Sequence, residues 1–329
     1  MDFIFAPLQG YTDCHYRSAH HRVVGGMSAY ITPFVRLEGG QMRPKDRRDV
    51  SPERNGEVPT IPQIIISNVD EFCRLCDELE QMGWRSIDVN MGCPFPMQTH
   101  AGRGCALLAD VDEVGRVVEE MGRRREVFFS AKMRLGYQSP EEALRVVPIL
   151  NDSVVGRVAL HPRLGVQQYR GVPDMELFEQ FFRECAKPLV YNGDLRTPAD
   201  IEAVCQRFPS LSGVMIGRGL LADPTMVREY QGREGGPGRW CAVFDMHDLI
   251  FACIAENYCG DAQILTRMHA FWEYQKGFVP NRWYKKLMKS GNVKGYRAAY
   301  SALREEVEKE GERGVKERVK EGEREVKEG

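Results

Sequence analysis

Residues 86–96 read SIDVNMGCPFP, a short run of apolar and β-branched residues that stops at a glycine, a cysteine and two prolines. Such a run suits a buried strand of a parallel sheet that ends in a turn. Segments of helical periodicity flank it, Asn68 to Met82 before and Val111 to Arg124 after, opened by Asn and Asp caps. Moving outward, similar runs recur at Phe3–Ala6, Ala29–Phe34, Pro62–Ser67, Val127–Met133, Gly156–His161, Pro188–Asn192 and Gly213–Gly217, which with Ser86–Met91 makes eight. Further helical segments fall at Pro140 to Leu150, Met175 to Cys185 and Pro198 to Arg207. No GxGxxG turn follows the first run, so the pattern predicts an α/β chain folded as a (β/α)8 TIM barrel rather than a doubly wound sheet. The polar stretch Glu38 to Thr60 is expected to be a long loop, or a short helix with loops.

Beyond the barrel the strand runs cease. FDMHDLIFACIAENY, LTRMHAFWEYQKGF and GYRAAYSALREEV have helical periodicity, and QGREGGPG (Gln231–Gly238) reads as the linker before them. The expected domains are a catalytic barrel over 1–235, an all-helical C-terminal domain over 236–303, and a charged tail over 304–329 that is disordered or a frayed helix. Of the 329 residues 43% are hydrophobic and 28% charged, and no apolar stretch approaches the roughly 20 residues of a membrane span. A globular protein without a membrane segment or signal peptide is expected, located in the cytoplasm. The ten cysteines lack the density of a disulfide framework and are expected to be thiols; Cys73 and Cys76 read as packed helix residues rather than metal ligands. The net charge of −2 is uninformative, but its distribution is not: between Leu265 and Leu303 eight basic residues face one acid, Glu273, giving +7.

In a TIM barrel the active site lies at the C-terminal ends of the strands. Those positions are polar here: Pro7 and Leu8 lead out of the first run, Gln63 lies in the third, Asn90 and Cys93 close the fourth, Lys132 and Arg134 the fifth, His161 and Arg163 the sixth, Asn192, Gly193 and Asp194 the seventh, Gly217 and Arg218 the eighth. A lysine inside FFSAKMRLG is costly to bury without an anionic partner. Loops seven and eight are the usual phosphate sites of such barrels, and Gly193, Gly217 and Gly219 permit close backbone approach while Arg218 can pair with phosphate. Together these residues make flavin mononucleotide (FMN) the economical cofactor, with Lys132 facing the charge that develops on the flavin and His161 bonding to its ring or phosphate side. Cys93 is the sharpest signal. A thiol at a barrel mouth can act as nucleophile, metal ligand or acid, and neither a base nor companion ligands are evident nearby.

The motifs APLQGYTDCHYR, IDVNMGCP, AGRGCALL, KMRLG, LHPR, YNGD and GVMIGRGLL, in that order and followed by RMHAFWEY, resemble those of the tRNA-dihydrouridine synthase family over about Phe3 to Tyr300. The resemblance implies reduction of uridine to 5,6-dihydrouridine. Cys93 would protonate uracil C5, Asn90 would hold the uracil, and Gln63, Lys132, His161, Asn192, Gly193, Gly217 and Arg218 would bind FMN. NADPH would be the electron donor, and tRNA or another folded RNA would be gripped by the helical domain. Pro7, Leu8 and Asp194 join the expected cofactor set by position, and Arg134, Arg163, Lys285 and Lys286 the substrate set. No protein partner is expected. Where the family commonly has a basic residue after GCP, this chain has Phe95-Pro96-Met97-Gln98.

Two other functions fit parts of the pattern. An FMN-dependent barrel reductase of a small molecule, an enoate or a free pyrimidine, would keep the lysine and phosphate loops without needing the basic helices. An RNA-binding scaffold without catalysis would need neither Cys93 nor Lys132. The aromatics among the basic helices (Phe271, Trp272, Tyr274, Trp283, Tyr284, Tyr296, Tyr300) either pack the domain or stack on bases, and Tyr11, Arg17 and Arg36 either steer RNA or bond internally.

Overall fold

The computed structural model describes residues 1–233 and 238–328, with side chains to residue 310. The chain forms two compact units, Met1–Gly235 and Gly236–Gly329. Of the expected linker, residues 234–237 lie outside the described residues.

The first unit is a parallel barrel. Its strands are β1 (Asp2–Phe5), β2 (Ala29–Ile31), β5 (Thr60–Ile61), β6 (Gln63–Ile64), β7 (Ser86–Met91), β8 (Phe128–Arg134), β9 (Arg157–His161), β10 (Leu189–Tyr191) and β11 (Gly213–Ile216), while β3 (Leu37–Glu38) and β4 (Gln41–Met42) form a separate antiparallel hairpin. The ladder runs β5-β2-β1-β11-β10-β9-β8-β7-β6. Its two ends are halves of one strand. Pro62 has no N–H to donate, so the ladder changes partner there: Thr60 and Ile61 pair with β2, whereas Gln63 and Ile64 pair with Asp88 and Val89 of β7. The barrel therefore closes through the Ile61–Pro62–Gln63 backbone, and the third predicted run is one strand bent at its proline.

The five predicted helices of this unit form as Val69–Gln81, Val111–Arg123, Pro140–Asn151, Met175–Glu184 and Pro198–Arg207. Asn68, Asp110, Asp174 and Thr197 cap four of them by accepting backbone N–H groups, and Pro140 and Pro198 stand in first turns. The stretch Glu38 to Thr60 is more ordered than a loop. It holds β4 and the short helices Pro44–Asp49 and Pro52–Asn55, each begun by a proline. Arg17, fully buried, ties it down through Asp49 and Asn55, and Arg36 bonds Glu38, so both arginines bond within the unit.

The second unit contains the helices Arg239–Asn257, Asp261–Glu273, Asn281–Met288 and Val293–Glu328. Phe271, Trp272, Tyr296 and Tyr300 pack its core: His247 meets the Tyr296 hydroxyl at 2.8 Å and stacks on Tyr300, and Trp272 Nε1 donates to the same Tyr296 oxygen at 2.7 Å. The last helix continues through Leu303 without a break. Arg304 donates to Asp248 at 2.8 Å and Glu306 accepts from Trp283 at 2.9 Å, so the first turn of the charged tail is tied to the unit. Among the described residues no helix is long and apolar enough to cross a membrane.

Candidate active site

The barrel interior divides into two chemistries. Ile4 and Ala6, Ala29 and Ile31, Ala159, Val190 and Met215 pack as one apolar cluster, with Leu8 and Ile61 against it. Side chains two apart on a strand share a face, so His161, Asn192 and Gly217 stand one layer above Ala159, Val190 and Met215. On the opposite side, β6, β7 and β8 bring Gln63, Asp88 and Ser130 into register, and all three are buried. Above them the ends of β8, β9 and β10 contribute the polar Lys132, His161 and Asn192.

Cys93 is seated by its own turn. Asn90 Oδ1 accepts the backbone N–H of Gly92 at 3.0 Å and of Cys93 at 2.8 Å, while its Nδ2 donates to Gln63 Oε1 at 2.7 Å. From the other side Cys105 donates its N–H to the Cys93 carbonyl at 3.2 Å, and Gly104, at φ +64°, packs so closely that an added Cβ would collide with that oxygen. This contact explains the AGRGCALL motif. Gly104→Ala is expected to cost about 2 kcal/mol from the left-handed backbone and the clash. In a melting experiment that appears as a Tm lower by several degrees, together with slower turnover because Cys93 must shift. An unchanged Tm would contradict the packing. Burial raises the Cys93 thiol pKa above its usual 9.0, opposed by the Phe95 amide and by Lys132 and Arg134, so it is protonated at neutral pH.

Positive charge gathers around His161. Its ring is held well below the usual imidazole pKa by burial and then by Arg134, Lys132, Arg163 and Arg218. The ring is therefore neutral, and Arg163 Nη1 donates to its Nε2 at 3.1 Å. Asp194 is the acid among these cations: it takes Arg163 at 3.0 and 2.6 Å and Arg218 at 2.7 Å. Arg134, buried, donates to the carbonyls of Leu164 and Gln168. Lys132 has no hydrogen-bond or ion-pair partner among the described residues, and burial, then Arg134, lowers its pKa to about 8. Arg163 Nε is also buried without a partner. Four cations against Asp194, with Asp88 near Lys132, leave net positive charge that suits an anion.

A family model described as dihydrouridine synthase (Dus) matches residues 4–310. The chain belongs to the dihydrouridine synthase family. It is 26% identical over 264 residues to the tRNA-dihydrouridine(16) synthase of Ralstonia nicotianae, covering 77% of this chain and 78% of that one. With the tRNA-dihydrouridine(16) synthase of Pseudomonas syringae pv. tomato it shares 27% identity over 259 residues, covering 75% and 81%. Among solved structures, morphinone reductase in complex with tetrahydroNAD superposes with a TM-score of 0.50 at 9% identity, over 73% of this chain and 89% of that one. The old yellow enzyme homologue from Zymomonas mobilis gives 0.51 at 10%, over 72% and 89%. These two likenesses are of fold.

Within this dihydrouridine synthase, Pro7, Leu8, Gln63, Asn90, Cys93, Lys132, Arg134, His161, Arg163, Asn192, Gly193, Asp194, Gly217 and Arg218 all lie on strands of the one barrel or on the segments that follow them, Gln63 opening β6. Their accessibility differs. Arg163, expected at the substrate, is fully buried, with its terminal nitrogens on Asp194, His161 and the Gly171 carbonyl. Asn192 donates to the Met215 carbonyl at 2.7 Å. Lys285 and Lys286 belong to the other unit, exposed on the helix Asn281–Met288.

Sequence reading passed over two residues of this region. Asp88 lies between Ser130 at 2.5 Å and Gln63 at 2.7 Å. A carboxylate two positions before Asn90, between the apolar Ile87 and Val89, was the available signal. Tyr169 lies 4.7 Å from the Arg218 guanidinium and 5.5 Å from that of Arg134, after Gln168, the one non-glycine residue at positive φ among the described residues. Nothing in the local sequence marks that loop.

Proposed function

We propose that this dihydrouridine synthase reduces uridine in tRNA to 5,6-dihydrouridine, with FMN held at the barrel mouth, NADPH as electron donor and Cys93 as the acid. The observation that carries the reading is a buried thiol on a turn held by Asn90, near an unpartnered lysine and a net-positive cluster.

The residues present fit FMN. Lys132 and Arg163 Nε lack partners, the cluster carries excess positive charge, and Gly217 leaves a space that a Cβ would close against Leu8 at 2.9 Å and Ala6 at 3.3 Å. Gln63, Lys132, His161 and Asn192 would line the ring side, with Pro7 and Leu8 beside them. Gly193, Gly217 and Arg218 would take the phosphate, Asp194 holding Arg218 in place. When bound, FMN supplies hydride to uracil C6.

Hydride addition there leaves negative charge conjugated from C5 to the C4 oxygen, and a proton must reach C5. Cys93 holds that proton. Asn90 fixes the turn that presents the thiol. Lys132 places positive charge where electron density rises, in a site where water is largely replaced by protein dipoles. Arg134 ties the end of β8 to the Leu164 and Gln168 carbonyls of the loop after β9, and Arg163 ties that loop to Asp194 after β10. The base must leave its stack to reach this depth, at a cost of a few kcal/mol that contacts to the RNA backbone offset.

Those contacts are assigned to the helical unit, where Lys276, Arg282, Lys285, Lys286, Lys289, Lys294 and Arg297 are exposed. Neutralising Lys285, Lys286 and Lys289 together is expected to lower the slope of log affinity against log salt by about 2 to 3. A filter-binding titration at several salt concentrations checks this, and an unchanged slope would move the RNA face elsewhere. A small-molecule reductase has no use for such a surface. For the cell, we expect dihydrouridine to disappear from tRNA when the gene is deleted and to return with the intact gene but not with Cys93→Ala. Mass mapping that finds the modification unchanged on deletion would refute the reading.

A further inference from the structure

The site residues of the proposed reaction account for Asn90 and Cys93 but leave a buried carboxylate beneath them without a role. Asp88 is 1% exposed, in the middle of β7, and its two oxygens are both engaged: Oδ1 accepts from Ser130 Oγ and Oδ2 accepts from Gln63 Nε2. Gln63 Oε1 then accepts from Asn90 Nδ2 at 2.7 Å, and Asn90 Oδ1 accepts from the backbone N–H groups of Gly92 and Cys93. The chain of bonds runs from Ser130 to the Cys93 amide without a gap.

Its direction is forced. Backbone N–H groups only donate, so Asn90 must present its oxygen to Gly92 and Cys93 and its NH2 to Gln63. Gln63 must therefore turn its oxygen toward Asn90 and its NH2 toward position 88. A group that accepts is required there, and a carboxylate accepts on both oxygens. An apolar group at position 88 would leave Gln63 Nε2 without an acceptor, whereas an amide alone could satisfy it by turning its oxygen to Gln63 and its NH2 to Ser130 Oγ, since a hydroxyl also accepts. Register makes the contact possible, since Gln63, Asp88 and Ser130 are cross-strand neighbours on β6, β7 and β8. Ionisation inside the barrel is unfavourable, and burial raises the Asp88 pKa, but Ser130, Gln63, Arg157 and Lys132 all oppose that shift.

We propose that Asp88 is a positioning residue, which sets the sense of the Gln63 and Asn90 amides and through them the turn that presents Cys93. The inference rests on the proposed role of Cys93 for its effect on turnover, but not for its effect on the turn.

A polarity swap tests it. Asp88→Leu keeps the approximate size and removes the acceptor. Gln63→Glu places a second carboxylate against Asp88. In the double variant Asp88→Asn/Gln63→Glu the amide at position 88 would donate to the carboxylate at position 63 and accept from Ser130, and that carboxylate would accept from Asn90. Every bond of the chain is then restored with the same total charge. The measurement is the alkylation rate of the Cys93 peptide by iodoacetamide in the folded full chain, read by mass spectrometry across pH, with Tm alongside. Asp88→Leu and Gln63→Glu are each expected to change the Cys93 rate threefold or more, and the Asp88→Asn/Gln63→Glu double variant to return within twofold of the parent. For Asp88→Leu, kcat for uridine reduction is expected to fall tenfold or more with KM changed less than twofold.

Single variants that leave the Cys93 rate unchanged, or a double variant as altered as either single one, would overturn the relay. A carboxylate that merely fills the core would give the second pattern. Normal turnover in Cys93→Ala would remove the acid role yet leave the alkylation cycle as a test of the relay, so the two failures are distinguishable.

Discussion

Cys93→Ala is expected to slow uridine reduction by about 100- to 10,000-fold, the usual contribution of a positioned general acid, while the protein stays folded and keeps its flavin colour. The thiol is not part of the cationic cluster, and its backbone contacts to Asn90 and Cys105 do not depend on Sγ. Removing one buried sulfur from a site only 8% exposed leaves a small gap rather than an unpaired charge. The same geometry fixes a pH dependence. Because burial raises the thiol pKa from 9.0, the acid form is present through neutral pH and is lost only as pH rises through that raised value. The Cys93 acid therefore imposes no decline below about pH 9, whereas loss of the Lys132 charge, at about 8, would lower turnover earlier. Single-turnover rates measured on reduced enzyme read this limb directly. A decline near pH 7 would mean that some other group carries the proton.

Asp194→Ala has a comparably large expected effect, on stability rather than chemistry. Arg163 is 1% exposed and bonds Asp194 through both terminal nitrogens, so removing the carboxylate leaves a buried guanidinium uncompensated, at a cost of about 3 to 5 kcal/mol. Arg218 is 32% exposed and adds little, since water screens its half of the cluster. For a domain of this size the Tm at pH 7 should fall by about 10 °C. The sign with pH follows from the direction of the shift. Arg163 holds the Asp194 carboxyl below the usual 3.8, so its contribution is complete above that value and disappears as pH falls through the lower folded one. The Tm difference between parent and variant should hence shrink in strong acid. A difference that stays constant down to the lowest pH at which both fold would assign the loss to packing rather than charge.

Where the candidate residues fall on the barrel was legible because strand periodicity is exact. Once the apolar runs are strands, the residue two beyond the last core position points the same way, which put His161, Asn192 and Gly217 above Ala159, Val190 and Met215 without any knowledge of neighbours. Lys132 stood out for a related reason, being a charge where the pattern demands a buried side chain.

What the sequence concealed are bonds between residues far apart along the chain. Gln63 and Asp88 are separated by 25 positions, and Arg163 and Asp194 by 31. Position alone ranked Arg163 beside Arg134 as a substrate contact, whereas the fold engages its terminal nitrogens internally. The same holds for Arg17, whose partners Asp49 and Asn55 sit in a stretch that reads as loop because its helices are only six and four residues long. Pro62 was visible but its meaning was not. A proline inside a strand run signals an edge, and here the edge is where the barrel joins itself.

Incubating the purified protein and NADPH with an unmodified tRNA transcript, and in parallel with free uridine and a simple enone, tests the central claim most directly. One or a few uridines of the transcript are expected to gain the mass of two hydrogens, at a rate that collapses in Cys93→Ala, while free uridine and the enone remain unchanged. Reduction of the enone or free uridine with the transcript untouched would contradict it and identify the barrel as a reductase of small molecules.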